Sequence, residues 1–390
     1  MVKILKNRYV LILLLVTFIS LQYVEQHHIL NVIFNYGRII ASGIIVVIYF
    51  FSKTKFSMIT IAISLVQIVF IFSTIMNNGN IVSCFNFSIS IIMLCMLIEL
   101  CMYTDVLCLL DSLITIMAII TTINFVTVIM APKGYYAPNL WFIGGRNTGF
   151  GTTIFPYMTF LMLKSHFLYE KMNASVIFFM ILNTVSIVIV WSAGNIVGAM
   201  MFMFFIFFLY KKNNYKITNY ISYVLFNIIY FFGIIIFRFQ NYIAFVIVDL
   251  LKRDLTFSYR TLIWDRVLEW IALRSIIGNG IEYVEISRSK ILFESTHNFY
   301  LQTLYSGGFI AITLFVVILI LMGKKLIVYK KSEFSNILSF AIFVILILMQ
   351  NDSYLGIRTF YIIFVITYHM SDIIKQHEEY HQVKINNHYS

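Results

Sequence analysis

Charged residues are scarce in this chain. They make up 12% of its 390 residues, whereas apolar residues make up 61%. Soluble domains carry roughly 25% charge, so this chain has too little to cover a water-exposed surface. That excludes a soluble enzyme and a disordered protein. The four cysteines have no C-x-x-C spacing, which excludes a disulfide-stabilised secreted domain. With only three prolines and long Ile, Leu and Phe runs, a β-barrel of short alternating segments is also disfavoured.

The apolar residues fall into long runs, which predict an all-α polytopic membrane protein. Each transmembrane helix needs roughly 20 apolar residues, and about twelve such segments follow one another in a single integral membrane domain, 1–390. The predicted spans are 9–26, 38–52, 57–76, 82–103, 106–130, 150–169, 174–192, 194–210, 218–238, 298–322, 334–350 and 354–371.

Basic residues predict the orientation of these spans. With the N-terminus inside, all but three of the lysines fall in cytoplasmic segments, as the positive-inside rule requires. An even number of spans then places both termini in the cytoplasm, including a polar tail at 372–390. The net charge of +11 is therefore explained by membrane insertion, and nucleic acid is not predicted as a partner.

The arginines oppose this lysine bias, and all but Arg8 fall at or near the outer face. A guanidinium grips phosphate or carboxylate bidentately, which an ammonium cannot do. Two outer loops contain most of these arginines. Residues 131–149 are rich in glycine and include Arg146, and residues 239–297 form a loop far longer than a connection needs. Salt bridges with acids of the same long loop are the alternative explanation.

Part of the long loop has helical periodicity. Residues 259–276 place Arg260, Trp264 and Val267 on one stripe, with Ile271 and Arg274 continuing it. This pattern predicts an amphipathic helix. It either lies along the outer headgroups or packs over the mouth of the helix bundle, and the two arrangements are compatible.

His297 lies where the long loop re-enters the membrane, followed by Asn298 and Tyr300. An imidazole acts near neutral pH as a general base, and Asn298 is suited to orient it. The alternative is an interfacial hydrogen-bonding residue without a catalytic role.

An ordered set of short motifs resembles the O-antigen polymerase and O-antigen ligase superfamily of bacterial membrane proteins. The set is Arg146-Asn147, Arg260-x-x-x-Trp264, Gly278-x-Gly280, His297-Asn298-x-Tyr300-Leu301 and Gly307-Gly308. The resemblance covers about residues 130–325. It implies a polysaccharide polymerase, a glycosyltransferase that moves a growing glycan from undecaprenyl diphosphate to a lipid-linked repeat unit. Capsule, O-antigen or exopolysaccharide synthesis at the outer face of the bacterial inner membrane is the implied setting.

The resemblance also suggests roles for particular residues. Arg260 is expected to hold the departing diphosphate, and His297 to activate the acceptor hydroxyl with inversion, Glu294 being the alternative base. The expected substrate-binding residues are Arg146, Asn147, Arg266, Arg358, Trp264, Asn298 and Tyr300. The chain has no D-x-D pair, so no metal ion or other cofactor is expected. Expected partners are undecaprenyl-diphosphate oligosaccharides, the lipid bilayer, and chain-length regulator and flippase proteins.

Two other functions remain open from the sequence. An O-antigen-type ligase of the same superfamily shares the donor half of the reaction. A lipid-linked oligosaccharide flippase or another secondary transporter represents a different class. A further pattern, His377-Glu378-x-x-His381, matches the zinc-protease motif H-E-x-x-H. Because no third ligand is evident, a solvated tail is predicted there instead of a metal site.

Overall fold

The computed structural model describes residues 2–19, 21–52, 54–210, 219–239, 242 and 260–389. Within these ranges the chain is almost entirely helical, with one two-stranded sheet. Part of the predicted long loop 239–297, residues 240–241 and 243–259, lies outside the described part of the chain, including Arg253 and Tyr259. Lys53, Lys211, Lys212 and Lys216, which belong to the predicted cytoplasmic segments, also lie outside it.

Seven helices precede residue 170. They are α1 (Arg8–Val16), α2 (Gln22–Gln26), α3 (His28–Ser52), α4 (Met58–Met76), α5 (Ile81–Thr104), α6 (Val106–Met130) and α7 (Thr148–Tyr169). Side-chain caps fix several of their starts. Ser57, Asn80 and Asp105 each accept a hydrogen bond from a backbone N–H three residues later, which satisfies a donor at the beginning of α4, α5 and α6.

In the described ranges, nine α-helices follow residue 170. They are α8 (Ala174–Ile189), α9 (Ala193–Phe204), α10 (Tyr220–Phe231), α11 (Arg260–Leu273), α12 (Val284–Ile291), α13 (Phe299–Val328), α14 (Glu333–Met349), α15 (Arg358–Tyr368) and α16 (Met370–Tyr389). Short π-helical segments, Phe205–Leu209 and Phe232–Ile236, continue α9 and α10. Helix α13 breaks at Gly308, whose φ of 64° is outside the helical region.

The helices support a multi-pass membrane protein. In the described ranges five helices are long and apolar enough to cross a membrane, namely α3, α4, α5, α6 and α13. Five shorter apolar segments begin at Ala174, Ala193, Tyr220, Glu333 and Arg358. These helices overlap predicted spans, although α3 begins ten residues before its predicted span 38–52. The count of twelve and the orientation of the termini stay predictions.

The first predicted span differs most from the structure. A continuous helix was expected over 9–26, but α1 has only nine residues and α2 begins at Gln22. Nine residues extend about 13.5 Å, less than half of the roughly 30 Å hydrocarbon layer. Carbonyls at this interruption accept from arginines instead of from a continuing helix: Arg38 donates to Thr17 O and Arg358 to Phe18 O.

Helix α7 lies in the interior, packed against α6, α8, α14 and α15. Nearly all of its side chains from Gly149 to Phe167 are buried, including that of Pro156 within the helix. The loop before it folds into a small hairpin of β1 (Leu140–Trp141) and β2 (Gly144–Gly145). The indole of Trp141 is buried and donates to Ala131 O. The hairpin therefore fixes the chain just ahead of Arg146 and Asn147.

The predicted amphipathic helix corresponds to α11, which the structure describes from Arg260 onward. Its buried side chains, Ile263, Trp264, Val267 and Ile271, pack with Leu301 and Tyr305 of α13. Of the two arrangements left open by the sequence, packing against the bundle is the one observed.

Candidate active site

His297 lies beside a carboxylate that the sequence motifs did not include. Its Nδ1 is 3.7 Å from Oδ1 of Asp352, in the short segment between α14 and α15. The other oxygen of Asp352 accepts a hydrogen bond from the hydroxyl of Thr148, the first residue of α7. Three distant parts of the chain thus meet at one carboxylate, and His297 keeps about a third of its side chain exposed. The imidazole is therefore oriented from within the protein and accessible from outside.

Hydrogen bonding keeps Asp352 ionised although it is buried. Burial raises the pKa of a carboxyl group, but hydrogen bonds from Thr148 and the Ser353 backbone, with the nearby imidazole of His297, together lower the pKa of Asp352 below its ordinary value of 3.8. A fixed negative charge beside Nδ1 favours the tautomer that leaves Nε2 free to accept a proton, and stabilises the imidazolium that results.

The backbone at His297 has an unusual conformation. Its φ of 49° falls in the left-handed region, which non-glycine residues seldom adopt and which costs of the order of 1–3 kcal/mol. The next residue, Asn298, is fully buried and holds this turn in place. Its Oδ1 caps α13 by accepting from Leu301 N–H, and its Nδ2 donates to the backbone and side-chain oxygens of Gln350.

A polar chain continues from Asn298 into the bundle. Gln350 donates to Asn227 of α10 at 2.7 Å, and the hydroxyl of Tyr300 donates to the same Asn227 side chain at 3.0 Å. Tyr300 also donates to Leu346 O. The four side chains tie α10, α13 and the end of α14 together directly behind His297. Asn298 and Tyr300, both predicted to bind substrate, are placed as supports of the site.

A small cavity of about 80 Å³ opens next to this network. Arg260 and Trp264 from α11 line it, with Asn298, Gln350 and Asn351, and Tyr230, Ile234 and Ile235 complete the wall. Asn298 and Asn351 each immediately adjoin a member of the His297–Asp352 pair.

Trp264 and two pairs of glycines anchor α11 at this position. The Trp264 indole donates to Thr296 O, just before His297. Within the Gly278-x-Gly280 motif, Gly278 packs against Gly307 and Gly308 of α13, whereas Gly280 packs against Thr74 of α4. A Cβ on Gly278 would lie 2.6 Å from Gly308 N, and Asn279 N–H donates to Tyr305 O. These glycines allow two backbones to touch, which fixes the long loop to the broken helix.

The earlier motif reaches the same site from the opposite side. Asn147 and Arg146 precede Thr148, and the Asn195 side chain donates to both of their carbonyls. The side-chain oxygen of Asn147 accepts from Ser192. Asn147 therefore positions the start of α7, whereas Arg146 is exposed near that start.

Three predicted site residues are not brought into this arrangement. Glu294 forms an exposed ion pair with Arg288, and Arg266 is on the exposed face of α11. Arg358 is buried at the start of α15 and donates to Phe18 O, in a different set of contacts from those of His297. Arg238–Asp265 and Lys290–Glu282 are further ion pairs within the long loop, as the alternative explanation of its charges predicted.

Sequence reasoning missed Asp352, Thr148, Gln350, Asn195 and Asn227. One signal for the first was available: Gln350-Asn351-Asp352-Ser353 is an uninterrupted polar stretch between two apolar runs. A short polar turn between two spans is ordinary by itself, so only the three-dimensional arrangement shows its contact with His297.

The fold and site are those of a multi-pass helical membrane protein with an oriented histidine next to an arginine-lined cavity. Residues 178–316 match the model of the family described as O-antigen ligase. This range includes α11, the glycine motifs and His297. The match confirms the recognition of the O-antigen polymerase and ligase superfamily made from the sequence. Neither the curated proteins nor the solved structures gave a match.

Proposed function

We propose that this protein is a metal-independent glycosyltransferase that polymerises polysaccharide. It would transfer a growing glycan from undecaprenyl diphosphate to a lipid-linked repeat unit at the outer face of the bacterial inner membrane. The observation that carries the proposal is the His297–Asp352 pair beside the cavity lined by Arg260. A base and a cation at one site are what an acceptor hydroxyl and a diphosphate leaving group require.

A second cavity supports a lipid-linked donor. An apolar groove of about 480 Å³ runs between α10, α13 and α14, and its walls include Val224, Phe231, Phe309 and Leu319. Gln350 lines both this groove and the Arg260 cavity. An isoprenoid tail in the groove would therefore place its diphosphate near Arg260. The sugar attached to that diphosphate would then extend toward His297.

The reaction follows from these positions. The acceptor hydroxyl gives its proton to His297 as its oxygen attacks the anomeric carbon. The bond from that carbon to the diphosphate oxygen breaks with inversion, and the electron pair leaves with the diphosphate. Negative charge grows on the leaving group during this step, so a preorganised guanidinium at Arg260 stabilises the transition state more than the ground state. Arg146, at the start of α7, is the further arginine proposed to contact this phosphate.

A ligase is the second candidate, because the matched family model has that description. The two functions share the donor and differ only in the acceptor, a second lipid-linked repeat for the polymerase and a different, finished acceptor for the ligase. Chain-length regulator and flippase proteins are the proposed partners for the polymerase.

The test uses purified full-length protein in lipid vesicles with synthetic lipid-diphosphate repeat units. Wild type is expected to form a ladder of longer glycans and to release lipid diphosphate. Arg260→Ala should reduce that release by about 10²–10³-fold. Arg260→Lys should restore only part of it, because an ammonium cannot make the bidentate contact that a guanidinium makes with phosphate. Arg288→Lys, at an exposed ion pair, is the matched control.

Two outcomes would contradict the proposal. Full activity of the Arg260→Ala protein would remove Arg260 from the site. Transfer to a non-repeat acceptor without any ladder from repeat units would overturn the polymerase assignment in favour of the ligase.

A further inference from the structure

The C-terminal helix α16 packs against the end of α7 through its histidines. His377 and His381 are four residues apart and therefore lie on the same face of the helix. His377 contacts the rings of Phe167 and Phe334 edge-on and stacks at 5.9 Å from the ring of His166. The tail expected to be solvated is thus docked at this point, with its two imidazoles turned toward the protein.

Glu170 supplies the third ligand that the sequence did not reveal. It is the residue at the C-terminus of α7, held in a left-handed conformation with φ of 51°. Its Oε1 is 3.9 Å from Nε2 of His377, and ligand atoms from Glu170, His377 and His381 all lie within 4.8 Å of one another. Among the described residues, Nε2 of His377 is buried without a hydrogen-bond partner. A buried imidazole nitrogen without a hydrogen-bond partner, 3.9 Å from a carboxylate oxygen, is suited to bind a cation between them.

The hydrogen bond of His381 leaves its Nδ1 available for coordination. Its Nε2 is 3.1 Å from Phe167 O. Because a carbonyl oxygen only accepts, Nε2 of a neutral ring carries the proton, which leaves the lone pair on Nδ1. Metal-binding histidines commonly donate their other N–H to a backbone carbonyl in this way.

The donor set selects the type of ion. Two imidazoles and one carboxylate suit zinc and related transition metals, whereas magnesium and calcium prefer sites made of oxygen ligands. Tetrahedral zinc with bonds of about 2.0–2.2 Å holds ligand atoms roughly 3.3–3.5 Å apart. The three atoms must therefore approach by at most about 1.5 Å, which the exposed and flexible Glu170 side chain allows.

We propose that Glu170, His377 and His381 form a binding site for a divalent transition metal of the zinc type, which fixes helix α16 to the end of α7. This site is separate from the glycosyl-transfer site, with which it shares no residue. The fourth coordination position is left to water. Metal binding would order the C-terminal helix without taking part in glycan transfer.

The test uses full-length protein purified in detergent through a tag without histidines and stripped with EDTA. Zinc is titrated in competition with a chromophoric chelator, and cobalt is titrated in parallel to record the visible absorption of a tetrahedral site. Wild type is expected to bind one ion per chain. His377→Ala and His381→Ala should each weaken zinc binding by at least tenfold, and Glu170→Gln should weaken it less. His28→Ala, at an exposed histidine of α3, is the matched control.

Proteolysis of the tail gives a second measurement. In wild type, zinc should slow cleavage within α16 relative to EDTA, and the His377→Ala/His381→Ala protein should be cleaved at the same rate with and without zinc. Circular dichroism and elution volume establish that each variant is folded. The proposal is overturned if the double variant binds zinc as tightly as wild type, or if wild type binds no zinc.

Discussion

Arginine is used in two different ways in this structure. The first region is the His297 centre, which consists of the His297–Asp352 pair and the adjacent cavity. Arg260 lines this cavity together with Asn298 and Asn351. At the second region, the Arg358 cluster, Arg38 and Arg358 are both buried and donate to the carbonyls of Thr17 and Phe18 between α1 and α2. From the sequence, all of these arginines were predicted to lie at or near the outer face. Whether a guanidinium binds substrate or stabilises the fold depends on the groups that it contacts.

The two regions also differ in the groups that surround the charged side chains. Arg38 reaches Thr17 O and the side chains of Asn35 and Asn86, so its donors are taken by the protein. The His297 centre is partly open, and its fixed elements are the supports behind it, Asn298, Gln350 and Thr148. A site that acts on substrate needs rigid supports and an accessible reacting group. Only the His297 centre combines both.

The largest effect is expected from removal of the imidazole. His297→Ala should lower the turnover of lipid-linked repeats by about 10²–10⁴-fold, because the acceptor loses its base. The amount of folded protein should stay within twofold of wild type, since about a third of the side chain faces outward. Turnover is measured as lipid diphosphate released per folded molecule. His28→Ala is the control, and an active His297→Ala enzyme would remove the centre's catalytic role.

The next effect concerns Asp352, a positioning residue in this proposal. Asp352→Asn keeps the shape but loses the charge that stabilises the imidazolium, so turnover should fall roughly 10–100-fold. The Michaelis constant for the lipid donor should not change, because the donor is held elsewhere. Asp352→Glu should recover part of the turnover. A rise in the Michaelis constant with unchanged turnover would instead place Asp352 in substrate binding.

The lowered pKa of Asp352 fixes the sign of a pH effect on stability. A carboxyl group with a lower pKa in the folded state stabilises the fold above its unfolded value, and this contribution disappears as the pH falls through the folded value. The carboxylate's contribution to the difference in melting temperature between wild type and Asp352→Asn should therefore disappear only in strong acid, as the pH falls below 3.8. A difference that grows as the pH falls below this value would contradict the assignment.

Much of the fold could be predicted because it depends on local composition. The long apolar runs coincide with α3 to α6 and with α13, and the spacing of Trp264, Val267 and Ile271 correctly predicts the buried stripe of α11. The interruption between α1 and α2 could not be predicted from hydropathy. It depends on hydrogen bonds from Arg38 and Arg358, and the latter is about 340 residues away.

The site was predicted in part for a related reason. Of the residues carried by the motifs, Arg260, Trp264 and Asn298 do line one cavity, and His297 immediately precedes Asn298. Asp352 was not predicted because it is separated from His297 by an entire helical hairpin, α13 and α14. Glu170 is likewise far in sequence from His377. Pairing of polar groups across such distances is decided by helix packing, about which a single sequence contains little information.

The Arg358 cluster should respond in stability instead of turnover. Arg358→Met preserves the aliphatic length but leaves Phe18 O without its donor, which should cost about 1–3 kcal/mol and lower the melting temperature by several degrees. Turnover per folded molecule should remain within about threefold of wild type. Arg288→Met, at an exposed pair, is the control for stability. If folded Arg358→Met protein loses turnover instead, Arg358 binds substrate as the sequence suggested, and the contrast between the two regions fails.

The smallest effect is expected at Glu294, the alternative base proposed from the sequence. Its carboxylate pairs with Arg288, and both side chains are more than half exposed. Exposed ion pairs contribute about 0–1 kcal/mol to stability. Glu294→Gln should therefore change turnover by less than about twofold and the melting temperature by no more than a few degrees. A carboxylate already engaged by a guanidinium in water is also a weaker base than an imidazole oriented by Asp352. If Glu294→Gln loses more than tenfold in turnover while His297→Ala stays active, Glu294 and not His297 is the general base.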